Sequence, residues 1–117
     1  MNGNYSEEDG YNLTKEILKR AKPDAIVYSG DITAFGGMLA LREEGFNIGK
    51  DISVIGFDDV PLACLVGLSS VKQPIEEIGF LAAEMILKLM SGERVESKVL
   101  PTKLTIRASV RVSEDGF

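Results

Sequence analysis

Hydrophobic positions along the chain switch between helical and extended spacing. Leu13, Ile17, Leu18 and Ala21 recur three or four residues apart, behind Ser6 and the acidic run Glu7-Glu8-Asp9. A hydroxyl that caps free amides, followed by acids at the positive end of the helix dipole, predicts a helix start. Arg20 and Lys22 fall in the last turn and Pro23 stops it. Ala25-Ile26-Val27-Tyr28 is a short apolar run of strand formers. Ser29-Gly30-Asp31 turns the chain, with Asp31 expected to cap a second helix from Ile32 to Glu44. That helix carries Phe35, Met38, Leu39 and Leu41 and ends at Gly45. Ser53 to Phe57 reads as a strand closing on Asp58-Asp59, and Pro61 to Gly67 as irregular or one short helical turn. Ser70 to Gln73 is expected to be extended, because residues before a proline avoid the helical region. Pro74 suits the first turn of a third helix through Ser91, with Gly92 as its stop. Val99-Leu100 and Leu104-Thr105-Ile106 read as final strands, and Glu114 to Phe117 as a loose tail. This order predicts an α/β fold with a largely parallel sheet flanked by helices.

The third helix departs from an ordinary amphipathic pattern. Ile75, Ile78, Phe80, Leu81, Met85, Ile86, Leu87, Leu89 and Met90 cover more than one face. A helix apolar most of the way round expects cover on several sides. Each large side chain left in water forfeits about 1.5–3 kcal/mol. The helix could be the central one of a small domain, but the few strands of this chain offer little cover, so the favoured expectation is a missing partner, either a second chain or deleted sequence.

At 117 residues the chain is one domain or a piece of one. A hydrophobic share of 44% with 26% charged residues fits a globular protein rather than a disordered one. Thirteen basic against 18 acidic side chains leave a net charge of −5, which argues against stand-alone nucleic-acid binding. There is no His, and Cys64 is the single Cys. Zinc fingers, His-based triads and disulfide frameworks are therefore excluded, and no metal or cofactor is expected. Cys64 sits in Leu62-Ala63-Cys64-Leu65-Val66 and is expected to be buried. The polar, acidic N-terminus lacks the pattern of a signal peptide. The stretch from Ile78 to Met90, broken by Gly79, Glu84 and Lys88, is too short and charged to span a bilayer. A cytoplasmic chain without a membrane partner is the expectation.

Candidate chemistry gathers where strands end. In open α/β sheets ligands sit outside the carboxyl ends of the strands. Asp58 and Asp59 follow one strand and Ser29-Gly30-Asp31 another, so two polar loops share one edge. A carboxylate there can accept two hydrogen bonds from a polyol or amine, or can simply cap a turn. Gln73 ends a third extended segment, and its amide both donates and accepts. Tyr5 could stack on a sugar or base face. No G-x-G-x-x-G, Walker A or G-x-S-x-G motif occurs, and Gly36-Gly37 inside a helix signals close packing. A phospho-receiver reading fails because the acidic pair comes late. A small enzyme using Asp58 or Asp59 as acid or base lacks any nucleophile, metal cluster or phosphate loop, so no catalytic residue is assigned.

Several runs together resemble one family. They are Pro23-Asp24-Ala25-Ile26 to Asp31, Ala34-Phe35-Gly36, Ala40 to Phe46, and Asp51-Ile52-Ser53-Val54-Ile55-Gly56-Phe57-Asp58-Asp59. They continue through Ser69-Ser70-Val71-Lys72-Gln73-Pro74 and Gly79, then Leu100-Pro101-Thr102 and Ile106-Arg107-Ala108-Ser109. The chain resembles the effector-binding region of LacI/GalR-type bacterial transcription regulators over nearly its whole length. The resemblance implies a truncated type I periplasmic-binding-protein-like fold. Residues 1–73 and about 99–112 would belong to the C-terminal lobe, and about 74–98 would cross to the N-terminal lobe. It implies a sugar-like effector bound in the cleft between lobes, contacted by Tyr5, Asp31, Asp58 and Gln73. It implies a homodimer or higher oligomer, with Phe35, Met38, Leu39 and Leu65 at the interface. DNA would be contacted only through an N-terminal domain that this chain lacks. Two departures stand out: Gly30 replaces a common Asn, and Val66-Gly67-Leu68-Ser69-Ser70 replaces a Pro-Pro-Leu-Thr-Thr run. A fragment of a periplasmic sugar-binding protein of the same fold is the alternative.

Overall fold

A computed structural model describes residues 6–111. The elements run α1 (Glu7–Arg20), β1 (Ala25–Val27), α2 (Asp31–Glu43), β2 (Ser53–Phe57), α3 (Pro61–Val66), β3 (Ser69–Lys72), α4 (Ile75–Met90) and β4 (Lys103–Thr105). The strands lie in the order β1-β2-β3-β4. β1 and β2 are parallel, with Ile26 opposite Val54; β2 and β3 are parallel, with Gly56 opposite Ser70. The chain divides into two compact units. One runs to Lys72 and resumes at Leu104; the other is Gln73–Lys103.

In the first unit, α1 begins as its sequence requires: Ser6 Oγ accepts from the Asp9 amide at 3.1 Å, with Glu7, Glu8 and Asp9 in the first turn. α1 and α2 approach closely enough that no side chain fits at two glycines. A methyl on Gly10 would lie 1.9 Å from the Thr33 carbonyl oxygen, and one on Gly36 1.8 Å from that of Glu7. Gly37 likewise faces the Tyr28 ring, so the Gly36-Gly37 pair is a packing feature. Tyr28 turns its hydroxyl to Thr14 Oγ1 at 2.6 Å inside this contact. The core gathers Tyr28, Ala34, Met38, Leu41, Ile52, Val54, Ala63 and Leu68, with Leu18, Ile26, Phe35, Phe46 and Ile48 against it. Each large side chain so buried contributes about 1.5–3 kcal/mol.

Four expectations need correction. Asp31 is not the cap of α2. Gly30 holds that position without a side-chain bond, and Asp31 is the first helical residue with its carboxylate engaged elsewhere. Val99-Leu100 forms no strand, and β4 alone follows α4. Cys64 is exposed, because the six-residue α3 turns Ala63 inward and leaves its neighbours outside. Met38 is 2% exposed and filled into the core, so it offers no surface to a second copy.

In the second unit, none of the residues of α4 is buried. Phe80 is 70% and Met90 79% exposed, and Ile75, Ile86, Leu87 and Leu89 are exposed too. The pattern that predicts a helix apolar on several faces is therefore met by one most of whose large apolar side chains are exposed among the described residues.

Candidate functional site

Two strand ends of the first unit carry polar groups on one edge of the sheet, and a serine of the neighbouring strand reaches the loop between them. After β1 come Ser29-Gly30-Asp31, after β2 Asp58-Asp59-Val60, and β3 contributes Ser70 near its start. The loop after β2 is built in an unusual way. Asp58 has φ +108° and Asp59 φ +58°, the only positive-φ positions among described residues that are not glycine. Such conformations cost roughly 1–3 kcal/mol each and persist only where the surroundings enforce them.

Three successive amides supply that enforcement. The Asp58 amide donates to the Val71 carbonyl at 2.9 Å, continuing the β2–β3 ladder. The Asp59 amide donates to Ser70 Oγ at 3.0 Å, and the Val60 amide to Asp31 Oδ2 at 2.8 Å. The acceptors are tied together, since Ser70 Oγ donates to Asp31 Oδ1 at 2.7 Å. From the other side, Arg107 Nη1 donates to Asp59 Oδ1 and to the Leu68 carbonyl, both at 2.7 Å. Asp59 holds the Arg107 guanidinium pKa above its ordinary value, chiefly through this hydrogen bond, with burial opposing. The segment after β4 is sewn down further. Ser109 Oγ accepts from the Ser69 amide and donates to the Val54 carbonyl, and Ser69 Oγ accepts from the Arg107 amide.

The expected site residues therefore divide. Asp58 is exposed at the strand end. Asp31, expected to touch a ligand, is 1% exposed and has both carboxylate oxygens occupied, so it supports the loop rather than facing solute. Tyr5 lies outside the described residues. Gln73 begins the second unit, where it lines a cavity of about 340 Å³ with Pro74, Ile78, Leu81, Ala82, Met85, Lys98, Leu100 and Thr102. Of the expected interface residues, Leu39 is 54% and Leu65 82% exposed, Phe35 is half-buried against the core, and Met38 is buried. A larger open cavity beside Arg42, Phe46, Asn47 and Lys50 lies before β2, at the amino end of that strand and away from these groups. No cluster of three or more acidic or Cys residues suited to a metal occurs among the described residues. Sequence reasoning missed Arg107 and Ser70 as parts of the site. Arg107 lies 48 positions from Asp59, and only the pairing of strands brings them together.

Three parallel strands with polar loops beyond their carboxyl ends make an α/β lobe of the kind in which ligands sit outside the strand ends. Comparison with known proteins makes this specific. The model of the periplasmic binding protein-like domain matches residues 1–110, and the chain belongs to that family, in its LacI-type repressor branch. It is 36% identical over 108 residues to a lactose operon repressor sequence of Rhizobium radiobacter, covering 89% of this chain and 96% of that one. It is 34% identical to the HTH-type transcriptional repressor PurR of Edwardsiella ictaluri, covering 94% of this chain and 34% of the relative. A lac repressor dimer solved with operator and the anti-inducer ONPF superposes with a TM-score of 0.87 at 31% identity, over 94% of this chain and 40% of that one. The chain thus spans about a third of the length of most of the curated relatives it matches. Those relatives are bacterial transcriptional repressors and not enzymes. Among the described residues no helix is long and apolar enough to cross a membrane.

Proposed function

We propose that this chain is the effector-sensing and dimerisation part of a LacI-type regulator, with Asp58 as its principal contact to a sugar-like molecule. The observation that carries the reading is the exposed Asp58 held in a strained conformation at the carboxyl edge of a parallel sheet. A carboxylate suits a polyol because it accepts hydrogen bonds from two hydroxyls at once. Gln73 and Tyr5 are further contacts in this reading. Residues 1–73 and about 99–112 form the C-terminal lobe, and about 74–98 belong to the N-terminal lobe, the remainder of which completes the cleft and covers α4. Effector binding would bias lobe closure and thereby the DNA affinity of the dimer, a coupling between two sites. DNA is reached through a separate domain, and the regulator works in the cytoplasm. The exposed Leu39 and Leu65, with Phe35, supply apolar surface for the dimer. The repressor relatives favour this reading over a periplasmic sugar-binding component.

Nuclear magnetic resonance titration of the labelled chain with lactose and with simple hexoses tests the assignment. Weak but saturable shifts centred on residues 29–31 and 58–60, lost in Asp58→Asn, are expected. Saturable shifts that survive Asp58→Asn unchanged, or none with any sugar, refute it. The purified chain is also expected to give no operator-specific mobility shift at physiological salt.

A further inference from the structure

The loop that carries Asp58 is clamped from beneath by groups that solvent does not reach. Ser70 is fully buried and Asp31 is 1% exposed, yet both spend their polar atoms on the amides of Asp59 and Val60 and on each other. Asp59 turns its carboxylate to Arg107 instead of to the open edge. Arg107 in turn holds the Leu68 carbonyl, just before β3, so the loop after β2 is tied to the strand beside it and to the chain after β4. An exposed Asp58 at positive φ, set above a buried network that holds the amides and carboxylate of the residues following it, is the arrangement expected if that network fixes the Asp58 backbone.

We infer that Asp31, Ser70, Asp59 and Arg107 are positioning residues that pre-set the backbone of Asp58 and so aim its carboxylate before any ligand arrives. The inference rests on the reading of Asp58 as the effector contact. Pre-setting matters because the ordering of a loop otherwise subtracts from binding. A clamp of this kind raises affinity without touching the ligand.

The test uses the full chain, isotopically labelled, as Arg107→Gln and Ser70→Ala variants. The three-bond amide–Hα coupling of Asp58 is measured without ligand, and circular dichroism verifies folding. The parent at φ +108° has a small coupling. It is expected to rise toward the large value of extended backbone in both variants, while amide shifts in α1 and α2 stay in place. Arg107 is partly exposed, so Arg107→Gln decides the matter if Ser70→Ala does not fold. An Asp58 coupling unchanged in a folded Arg107→Gln overturns the inference. Lactose titration forms the second arm. Binding weakened about tenfold or more in Arg107→Gln, with the Asp58 carboxylate intact, supports positioning. Equal affinity in parent and variant overturns it. A parent chain that shows the coupling change on mutation but no response to lactose or hexoses overturns the effector reading instead, so the two failures are told apart.

Discussion

Gly56→Ala places one methyl group where the clamp has no room for it. Gly56 sits in β2 opposite Ser70, and a Cβ there would lie 2.2 Å from Asp31 Oδ1 and 2.9 Å from Leu68 Cδ2. The Asp31 carboxylate is the softer neighbour, but it is buried and fixed by bonds of 2.7 and 2.8 Å to Ser70 and Val60. Moving it sacrifices two hydrogen bonds to a charged group, each worth about 1.5–3 kcal/mol. Against this the new methyl gains about 0.8 kcal/mol from burial. The lower entropy of alanine in the unfolded chain returns roughly another 0.5–1 kcal/mol. The net expectation is a loss of about 2–4 kcal/mol, a large part of the roughly 5–15 kcal/mol that holds a domain together. Urea unfolding followed by circular dichroism reads this as a midpoint lowered by about 1–2 M, for a slope of about 2 kcal/mol/M. A double-mutant cycle isolates the cause: in an Asp31→Ala background the same methyl meets no carboxylate, and the coupling should reach about 0.5–3 kcal/mol. A Gly56→Ala midpoint within about 0.3 M of the parent would show that the carboxylate is not locked as described.

Two other glycines bracket this case. Gly36→Ala drives a methyl into backbone, 1.8 Å from the Glu7 carbonyl oxygen, and should cost at least about 1–3 kcal/mol by the same assay because α1 must move off α2. Gly79→Ala in α4 meets nothing within 4 Å and should leave stability unchanged or raise α4 helicity, by up to about 1 kcal/mol. Alkaline pH should destabilise the chain in a defined direction. Burial raises the pKa of Tyr28, so above pH 10 the unfolded chain loses that proton first and stability falls. The Tyr11 hydroxyl, raised by its bond to Glu43, acts the same way, and Lys15, raised by Glu44, loses its stabilisation as pH climbs above 10.5. Urea midpoints taken between neutral and alkaline pH should fall, and Tyr28→Phe should flatten part of that slope; a midpoint that rises would contradict the sign. The exposed faces of α4 should make the chain associate at high concentration. Sedimentation should show species larger than the monomer, reduced by Phe80→Glu with Met90→Glu; a parent that stays monomeric would refute it.

Much of the fold was written in local sequence signals. Ser53 to Phe57 reads as a strand and is one, because an apolar run bounded by polar turns leaves few alternatives. Ser6 before three acids reads as a helix start and caps α1. Pro74 and Gly92 bracket α4, where Pro74 takes the capping position and Gly92 has φ +81°. The failures lie where tertiary structure outvotes the neighbours. Val99-Leu100 has strand composition but pairs with no strand, and Cys64 has apolar neighbours but stands on the outer side of a six-residue helix. Local composition reports what a residue is suited to, whereas burial depends on which face the rest of the chain covers.

The site shows the same boundary more sharply, through two aspartates that the sequence presents as equivalents. Asp31 and Asp58 each follow a strand at the same edge, and spacing alone gives no reason to separate them. Their difference arises from partners distant in sequence. Ser70 lies 39 residues from Asp31 and the Val60 amide 29, and these two donors draw the Asp31 carboxylate under the loop. A buried carboxylate without such donors would be costly, so its burial and its hydrogen bonds are one fact rather than two. Once Asp31 is beneath the loop, the amides of residues 58–60 are directed inward, Asp59 meets Arg107, and Asp58 stays at the exposed edge. If Asp58 is the effector contact proposed above, recognition at this edge depends on residues that the ligand does not touch. Substitution of Asp31 should therefore disturb binding through the conformation of Asp58, and the Asp58 coupling should change in Asp31→Asn even with no ligand present. An Asp31→Asn chain that folds, keeps the Asp58 coupling and still loses sugar binding would instead make Asp31 a direct contact.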